Sequence, residues 1–350
     1  MAEITRYVNT ASTAGGDGTS NSTTGGTRAY ASLDEACDSE AADLVTAGDN
    51  LVILCSGSTS DSIFADFTNA AWVTSDTNDV FIKPNTGEEH SGVWNTGIYR
   101  LTSGLNNTTI DHLTLERLQI TEDATLSNAH VLRYSSGLDV GVQVVRQCLI
   151  KIDHSDAEQA GHGINMQDSS PDYHISNNIV YISDSSSHTA VRNGLNMAGG
   201  SGKYIVYNNT IAGAWSIGIR TNGTDHVKNN ILDGATTCID GTVGSRNTEQ
   251  YNAASDATVS GTGSRTNQTF TYEAGADNYL LTSSDAGAKD FGEDLSSDTH
   301  LQITDDIVGV TRTGTWDIGA FEVTAAAAAG KGPLINSGLI NNGLINSGLT

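Results

Sequence analysis

The chain has 350 residues, a formal charge of −24, 38 glycines, three prolines and 6% aromatic residues. So acidic a surface repels phosphate backbones and argues against a nucleic-acid partner, leaving a solvated surface or Ca²⁺ as the uses of its carboxylates. Abundant Gly, Ser, Thr, Asn and Asp suit a turn-rich all-β protein, and no apolar run is long enough to span a membrane.

Residues 1–50 form an N-terminal segment and a cap. Met1-Ala2-Glu3-Ile4-Thr5-Arg6 lacks the charged-then-apolar pattern of a signal peptide, so synthesis and folding in a cytoplasm are expected. Gly15-Gly16-Asp17-Gly18 is a loop, since no lysine follows it as a phosphate loop requires. Ser32 and Glu35 make a capping box, and Leu33, Ala36, Cys37 and Leu44 can share one side of a short helix. The end coil of a repetitive β-structure would expose its core, and this helix is the natural cover. Gly48-Asp49 then turns into the apolar strand Leu51-Val52-Ile53-Leu54-Cys55.

Residues 51–324 read as one solenoid. Val80-Phe81-Ile82 and Ile98-Tyr99-Arg100-Leu101 are strands of the first coils. Between 109 and 240 five runs align: Leu115–Ile120, Val145–Ile150, Ile175–Val180, Val206–Ile211 and Val227–Leu232. Each alternates apolar and polar residues, as a half-buried strand does. The last three carry Asn-Asn at one place, with Asn178 to Asn209 spanning 31 residues and Asn209 to Asn230 spanning 21. A second series interleaves with them: Val131–Tyr134, Gly163–Met166, Gly194–Met197 and Gly218–Thr221. Two strand series advancing together, with no helical period between them, predict a parallel β-helix. Leu132, Ile164, Leu195 and Ile219 should stack as a core ladder beside Met166 and Met197. The Asn-Asn pairs should turn a corner, because Asn tolerates left-handed backbone and its amide can bond the Asn above and below. Cys148 and Cys238 look like core residues; Cys37 and Cys55 could lie near each other, and all four are expected as thiols without zinc spacing.

Residues 241–300 show no clear register; Phe270-Thr271-Tyr272 and Tyr279-Leu280-Leu281 suggest strands or a lateral cover. Residues 325–332 are an Ala/Gly linker. Residues 333–350 repeat Leu-Ile-Asn-x-Gly with a period of five, which gives neither a strand nor a helix one apolar face. Burying the side chains of Leu334, Ile335, Leu339, Ile340, Leu344, Ile345 and Leu349 is worth on the order of 10 kcal/mol. The tail is therefore expected to pack against copies of itself or a docking surface.

Two ends of the chain carry a resemblance. Tyr7-Val8, the Gly-Gly-Asp-Gly loop, Tyr30-Ala31-Ser32-Leu33-Asp34-Glu35-Ala36 and Ala47-Gly48-Asp49-Asn50-Leu51-Val52-Ile53-Leu54 resemble the opening of right-handed parallel β-helix proteins of the pectin-lyase-like superfamily. Asp305-Asp306-Ile307-Val308-Gly309-Val310-Thr311-Arg312 with Trp316-Asp317-Ile318-Gly319-Ala320-Phe321-Glu322 resembles that group's closing segment. The resemblance implies a right-handed single-stranded parallel β-helix. It says little of activity, because this fold hosts lyases, hydrolases, adhesins and phage tailspikes.

Function has to come from the loops and faces. Loops 121–129, 153–161, 183–191 and 212–216 should leave the coil at one corner. They bring Asp153, His154, Asp156, Glu158, Asp184 and His188 together as candidate catalytic residues of a polysaccharide hydrolase or lyase, or as Ca²⁺ ligands. Glu122 and Asp123 lie in the same loops. Trp215 could stack on a sugar ring. Arg133, Asn165, Asn196 and Arg220 form an outward ladder suited to a glycan, a neighbouring subunit or water. No nucleophile motif accompanies them. The favoured expectation is a virion component of a bacteriophage, a tailspike-, fibre- or decoration-like homotrimer made in the host cytoplasm. Its β-helix would contact host surface polysaccharide, and its tail would trimerise it or attach it to other virion proteins. The alternatives are a depolymerase at the acidic loops and a purely structural subunit.

Overall fold

The computed structural model describes residues 2–122, 129–135, 137–138, 141–153, 161–167, 171–183, 192–197, 202–221, 224–241 and 248–324. Every pairing between its named strands is parallel, and they form three sheets of nine, eight and seven strands. One coil shows the rule. His112–Glu116 lies in the nine-stranded sheet one, Gln119–Thr121 in the eight-stranded sheet two and Ala129–Tyr134 in the seven-stranded sheet three. The chain then returns to sheet one as Val142–Arg146, with Val142 beside His112 and Arg146 beside Glu116. Further coils repeat this order through Leu149–Ile152 and Gly161–Met166, then Asp172–Ser176, Ile179–Ile182 and Arg192–Met197. The stack is a β-helix-like solenoid in which residues about one coil apart in sequence are neighbours about 4.8 Å apart in space.

The expected apolar column is present. Leu132, Ile164, Leu195 and Ile219 pair in successive strands of sheet three and are fully buried. Met166 and Met197 pair beside them. The number of strands per coil differs from the two-series reading. Each aligned run is two strands in two sheets, joined by one residue in left-handed conformation: Arg117, Gln147, Asn177, Asn208 and Asn229, with φ between 54° and 56°. That single residue reverses the in–out parity. Leu115 and Leu118 both point inward although an even alternation would separate them, and an unbroken polar–apolar pattern concealed the bend.

The second Asn of each pair faces inward at this corner and builds a buried amide ladder. Asn178 Nδ2 donates to Asn209 Oδ1 at 2.9 Å, Asn209 Nδ2 to Asn230 Oδ1 at 3.0 Å, and Asn230 Nδ2 to Asn252 Oδ1 at 3.0 Å. Each of these Oδ1 atoms also accepts the backbone N–H of the Asn one coil before it. Asn252, outside the aligned runs, continues the column. At the other end Cys148 donates its N–H to Asn178 Oδ1, and Leu118 occupies the same corner in the coil before.

At the N-terminal end Ala2–Asn9 joins the edge of sheet one beside Asp49–Ser56. The helix Leu33–Glu40 begins where expected: Ser32 accepts the Glu35 N–H, and Glu35 reaches back to the Ala31 N–H at 2.8 Å. Leu33, Ala36 and Cys37 enter the main core. Leu44 does not share this helix. It starts a separate turn, Leu44–Ala47, set off by its own cap Asp43 and by Gly48 at φ 72°. All four cysteines are buried thiols.

After the last short strands, Thr248–Gln250 and Ala253–Ala254, the chain turns back along the outside of the coils. Phe270–Leu281 contains a short antiparallel contact between Tyr272 and Leu281. Phe270 and Leu281 pack on Ile231 and Ala253 of sheet two, whereas Leu295, Ile303 and Trp316 cover Ile205 and Tyr207 of sheet one. The segment 265–323 is thus a lateral cover over the left-handed corner. The closing motif does the fastening. Gly319, at φ 102°, donates to the Asn229 carbonyl at 2.7 Å, and a Cβ there would lie 2.5 Å from Ile231 Cδ1. Arg312, fully buried, bonds Glu322 at 3.0 Å and the carbonyls of Asp317 and Gly319. Burial pushes the Glu322 carboxyl up to about 7 despite that guanidinium. Linker 325–332 and tail 333–350, including Leu334, Ile335, Leu339, Ile340, Leu344, Ile345 and Leu349, lie outside the described residues.

Candidate functional site

The exit points of the predicted loops do stack. Thr121, Ile152, Ile182 and Ala212 end successive strands of sheet two. Of the candidate acids, Asp153 is described: it is exposed, accepts Ser183 Oγ at 2.8 Å and lies 3.3 Å from Lys151 Nζ. Lys151 is shared with Asp277 at 3.0 Å, so Asp153 sits in a surface ion-pair group. Asp123, His154, Asp156, Glu158, Asp184 and His188 lie outside the described residues, whereas Glu122 is described and buried. Among the described residues no group of three or more His, Cys, Asp or Glu side chains converges as metal ligands.

Trp215 requires a correction as a sugar platform. The short connection Ala212–Ser216 folds over Gly213, at φ 102°, and carries the indole into the main core, where it is 1% exposed. Its Nε1–H donates to the Ala212 carbonyl at 2.8 Å. A ring enclosed on both faces cannot stack on a ligand.

The outward ladder is longer than the four residues picked from sequence. Asp66, Asn106, Arg133, Asn165, Asn196, Arg220 and Asp240 occupy one register row across all seven strands of sheet three. Arg133, Arg220 and Asp240 are exposed. Asn165 and Asn196 are not: they are 0% and 5% exposed, and Asn196 Nδ2 donates to Asn165 Oδ1 at 2.8 Å. The middle of the row is therefore spent on internal bonding, and its guanidiniums stand about three coil spacings apart. Near one end of these strands His130 and His162 stack at 4.8 Å, and burial pushes them down to about 3 and about 4, which keeps both rings neutral at pH 7.

A second face is more open. The outward residues of sheet one are uncovered from its first strand to the point where residues 295–303 close over Ile205 and Tyr207. Four hollows of about 290, 460, 140 and 500 Å³ lie along it. They share Glu116 and Arg117, then Val144, then Asp76, His112 and Val142, so they form one continuous trough. Val52, Phe81, Thr114, Val144 and His174 succeed one another in register along its middle, giving an apolar and β-branched floor. One rim is the turn at Thr74-Ser75-Asp76 and the other is Thr86, Glu89, Arg117 and residues 301–305.

The side chains on this face are held in place. Glu116 Oε2 accepts the Arg146 Nε–H at 2.6 Å and also meets a second nitrogen of the same guanidinium. The Arg146 guanidinium lies 5.8 Å from the Phe81 ring and Lys83 Nζ lies 4.9 Å from it. Arg117 Nε donates to Gln147 Oε1 at 3.1 Å. His90, pushed down to about 4 by burial, fixes its loop beside the trough by donating from Nε2 to the Gln147 carbonyl at 2.9 Å. Burial lowers His174 as well, so the floor carries a neutral imidazole at pH 7. The trough thus sets hydrogen-bonding side chains on two rims beside a partly apolar floor. Sequence reasoning missed it, although Glu116, Arg117, Arg146 and Gln147 lie inside the aligned runs. Only the register between coils shows that their neighbours form an open floor.

No protein-family model, no curated protein and no solved structure matches this chain.

Proposed function

We propose that this chain is a non-enzymatic adhesion protein of a bacteriophage particle, a right-handed β-helix of the pectin-lyase-like kind, which holds a linear host-surface polysaccharide in the trough on sheet one. The observation that carries the binding role is that trough: four connected hollows over an in-register floor, rimmed by hydrogen-bonding side chains. An extended glycan offers apolar ring faces to Val52, Phe81 and Val144 and hydroxyls to Glu116, Arg146 and Ser176. The exposed guanidiniums of Arg133 and Arg220 on sheet three provide a second line of contact. The virion assignment is supported by the solenoid body, which resembles tailspike and fibre β-helices, and by the five-residue repeat of the tail, while the chain ends support the pectin-lyase-like fold. In this reading the helix Leu33–Glu40 covers the N-terminal end of the core, and the Leu-Ile tail trimerises the protein or attaches it to the particle.

The test is binding of purified bacterial surface polysaccharides to the full chain and to Phe81→Ala and Arg146→Ala variants, with product release followed in parallel. Removing either side chain should weaken retention by about 10-fold, which corresponds to about 1.4 kcal/mol. Unchanged retention in both variants removes the trough from the mechanism. New reducing ends or unsaturated products would turn the reading to a depolymerase.

A further inference from the structure

We infer that the polymer held in this trough is an uncharged polysaccharide, and that the trough is built to reject acidic ones; this rests on the trough being the glycan site. Three observations carry it. Among the described residues lining the trough there are seven carboxylates, including Asp76, Asp79 and Asp172, against three cations, Lys83, Arg117 and Arg146. Those cations are already engaged. Arg146 is gripped by Glu116, Lys83 sits over Phe81, and Arg117 bonds Gln147. A ligand carboxylate reaching Arg146 would share a guanidinium already neutralised by Glu116, and so gains less there than at an unpaired cation.

The charge is also distributed unevenly. All three cations lie toward the rim made by Thr86, Glu89 and Asp305, while the hollows at the opposite rim have no Lys or Arg among their described residues. The largest hollow, about 500 Å³, is lined by Asp76 and Asp172 with His112 and no Lys or Arg among its described residues. Lys203, one coil beyond Asp172, gives it only a backbone N–H at 3.3 Å. A uronate, sulfate or phosphate on a polymer lying in the trough therefore meets acid without a Lys or Arg beside it along this rim. The net charge of −24 adds long-range repulsion. A neutral sugar meets no such barrier: its hydroxyls donate to Asp76, Asp79 and Asp172 and accept from Ser75 and the far guanidiniums, while its ring faces lie on the floor.

The experiment compares a panel of neutral linear polysaccharides (dextran, β-glucan, galactomannan, xylan) with the carboxymethylated derivative of each, on the full chain by affinity electrophoresis. At least one neutral member should be retained, and carboxymethylation should weaken its retention by about 10-fold or more, a difference that shrinks with added salt. In an Asp76→Asn, Asp79→Asn, Asp172→Asn variant the discrimination should fall several-fold, while Asp240→Asn, on sheet three, should leave it unchanged. Preferential retention of the acidic derivatives overturns the charge assignment and leaves the glycan-binding role standing. Discrimination that survives the triple substitution also overturns it. If no member of either set is retained, the trough reading falls and this inference with it.

Discussion

Asn209 shows how one side chain organises a corner. Its amide accepts from the Asn178 N–H and Nδ2, and donates to Asn230 Oδ1 and to the carbonyls of Ile175 and Tyr207. All of these groups are buried, so each lost partner leaves a polar atom without water. Asn209→Ala should destabilise the fold by about 3 kcal/mol, read as a lower denaturant midpoint at unchanged slope. A substitution that costs nothing would mean that the amide column is ornamental. Asp in the same place would turn a buried carboxylate oxygen toward Asn230 Oδ1 and the Ile175 and Tyr207 carbonyls, and should cost at least as much as alanine. The neighbouring residue plays the opposite part: Asn208 supplies the left-handed bend, a job that Arg117, Gln147 and Tyr251 also perform elsewhere in the stack. Asparagine is favoured for that bend yet is not required for it, whereas the inward position needs an amide wherever the column runs.

At the scale of elements, the lateral segment 265–323 depends on one buried ion pair. Arg312 sits beneath Trp316 and bonds Glu322, three carbonyls and Asn177. Removing the guanidinium would strand the Glu322 carboxylate and those acceptors in the interior. Arg312→Ala should therefore cost about 3–5 kcal/mol, and the loss should be local. Amide exchange should rise across 290–323 and along the outer residues of sheet one near Ile205, while the amide column at Asn178 and Asn209 stays protected. Uniform loss of protection would show instead that cover and coil fold as one unit. The elements were unequally legible. Ser32 with Glu35 marked a helix start, and strong recurrence marked the strands of 109–240. The bend inside each aligned run was invisible because a single left-handed residue keeps the polar–apolar alternation going while shifting its phase. The lateral cover was also out of reach, since it bonds to coils as far as 159 residues away in sequence, where Gln147 Nε2 donates to the Asp306 carbonyl.

For the whole molecule, the proposed function assigns the tail and the trough two separable tasks. A solenoid's stability is a sum of neighbouring coil contacts, and the paired strands of the described coils lie within residues 2–254. Deleting 333–350 should leave the thermal midpoint of the body within about 2 °C and convert the assembled species to monomer, measured by light scattering. Normal assembly of the shortened chain would exclude the tail as the assembling element. Glycan retention per subunit should persist in the monomer, with the loss of avidity that goes with fewer linked sites.

By itself the sequence determined the architecture: recurring strand patterns and paired asparagines specify stacked parallel coils, because inward side chains of one type must lie over each other wherever successive windings repeat. Composition also set the net charge of −24. Tertiary structure alone decided which polar residues face solvent. It buried Trp215 and closed Asn165 and Asn196 into their own row, and it spread Phe81, Thr114, Val144 and His174 across an open floor. The physical reason is that exposure depends on what crosses a face from elsewhere in the chain. The segment that leaves half of sheet one uncovered is folded back from the far end, beyond the reach of any local pattern.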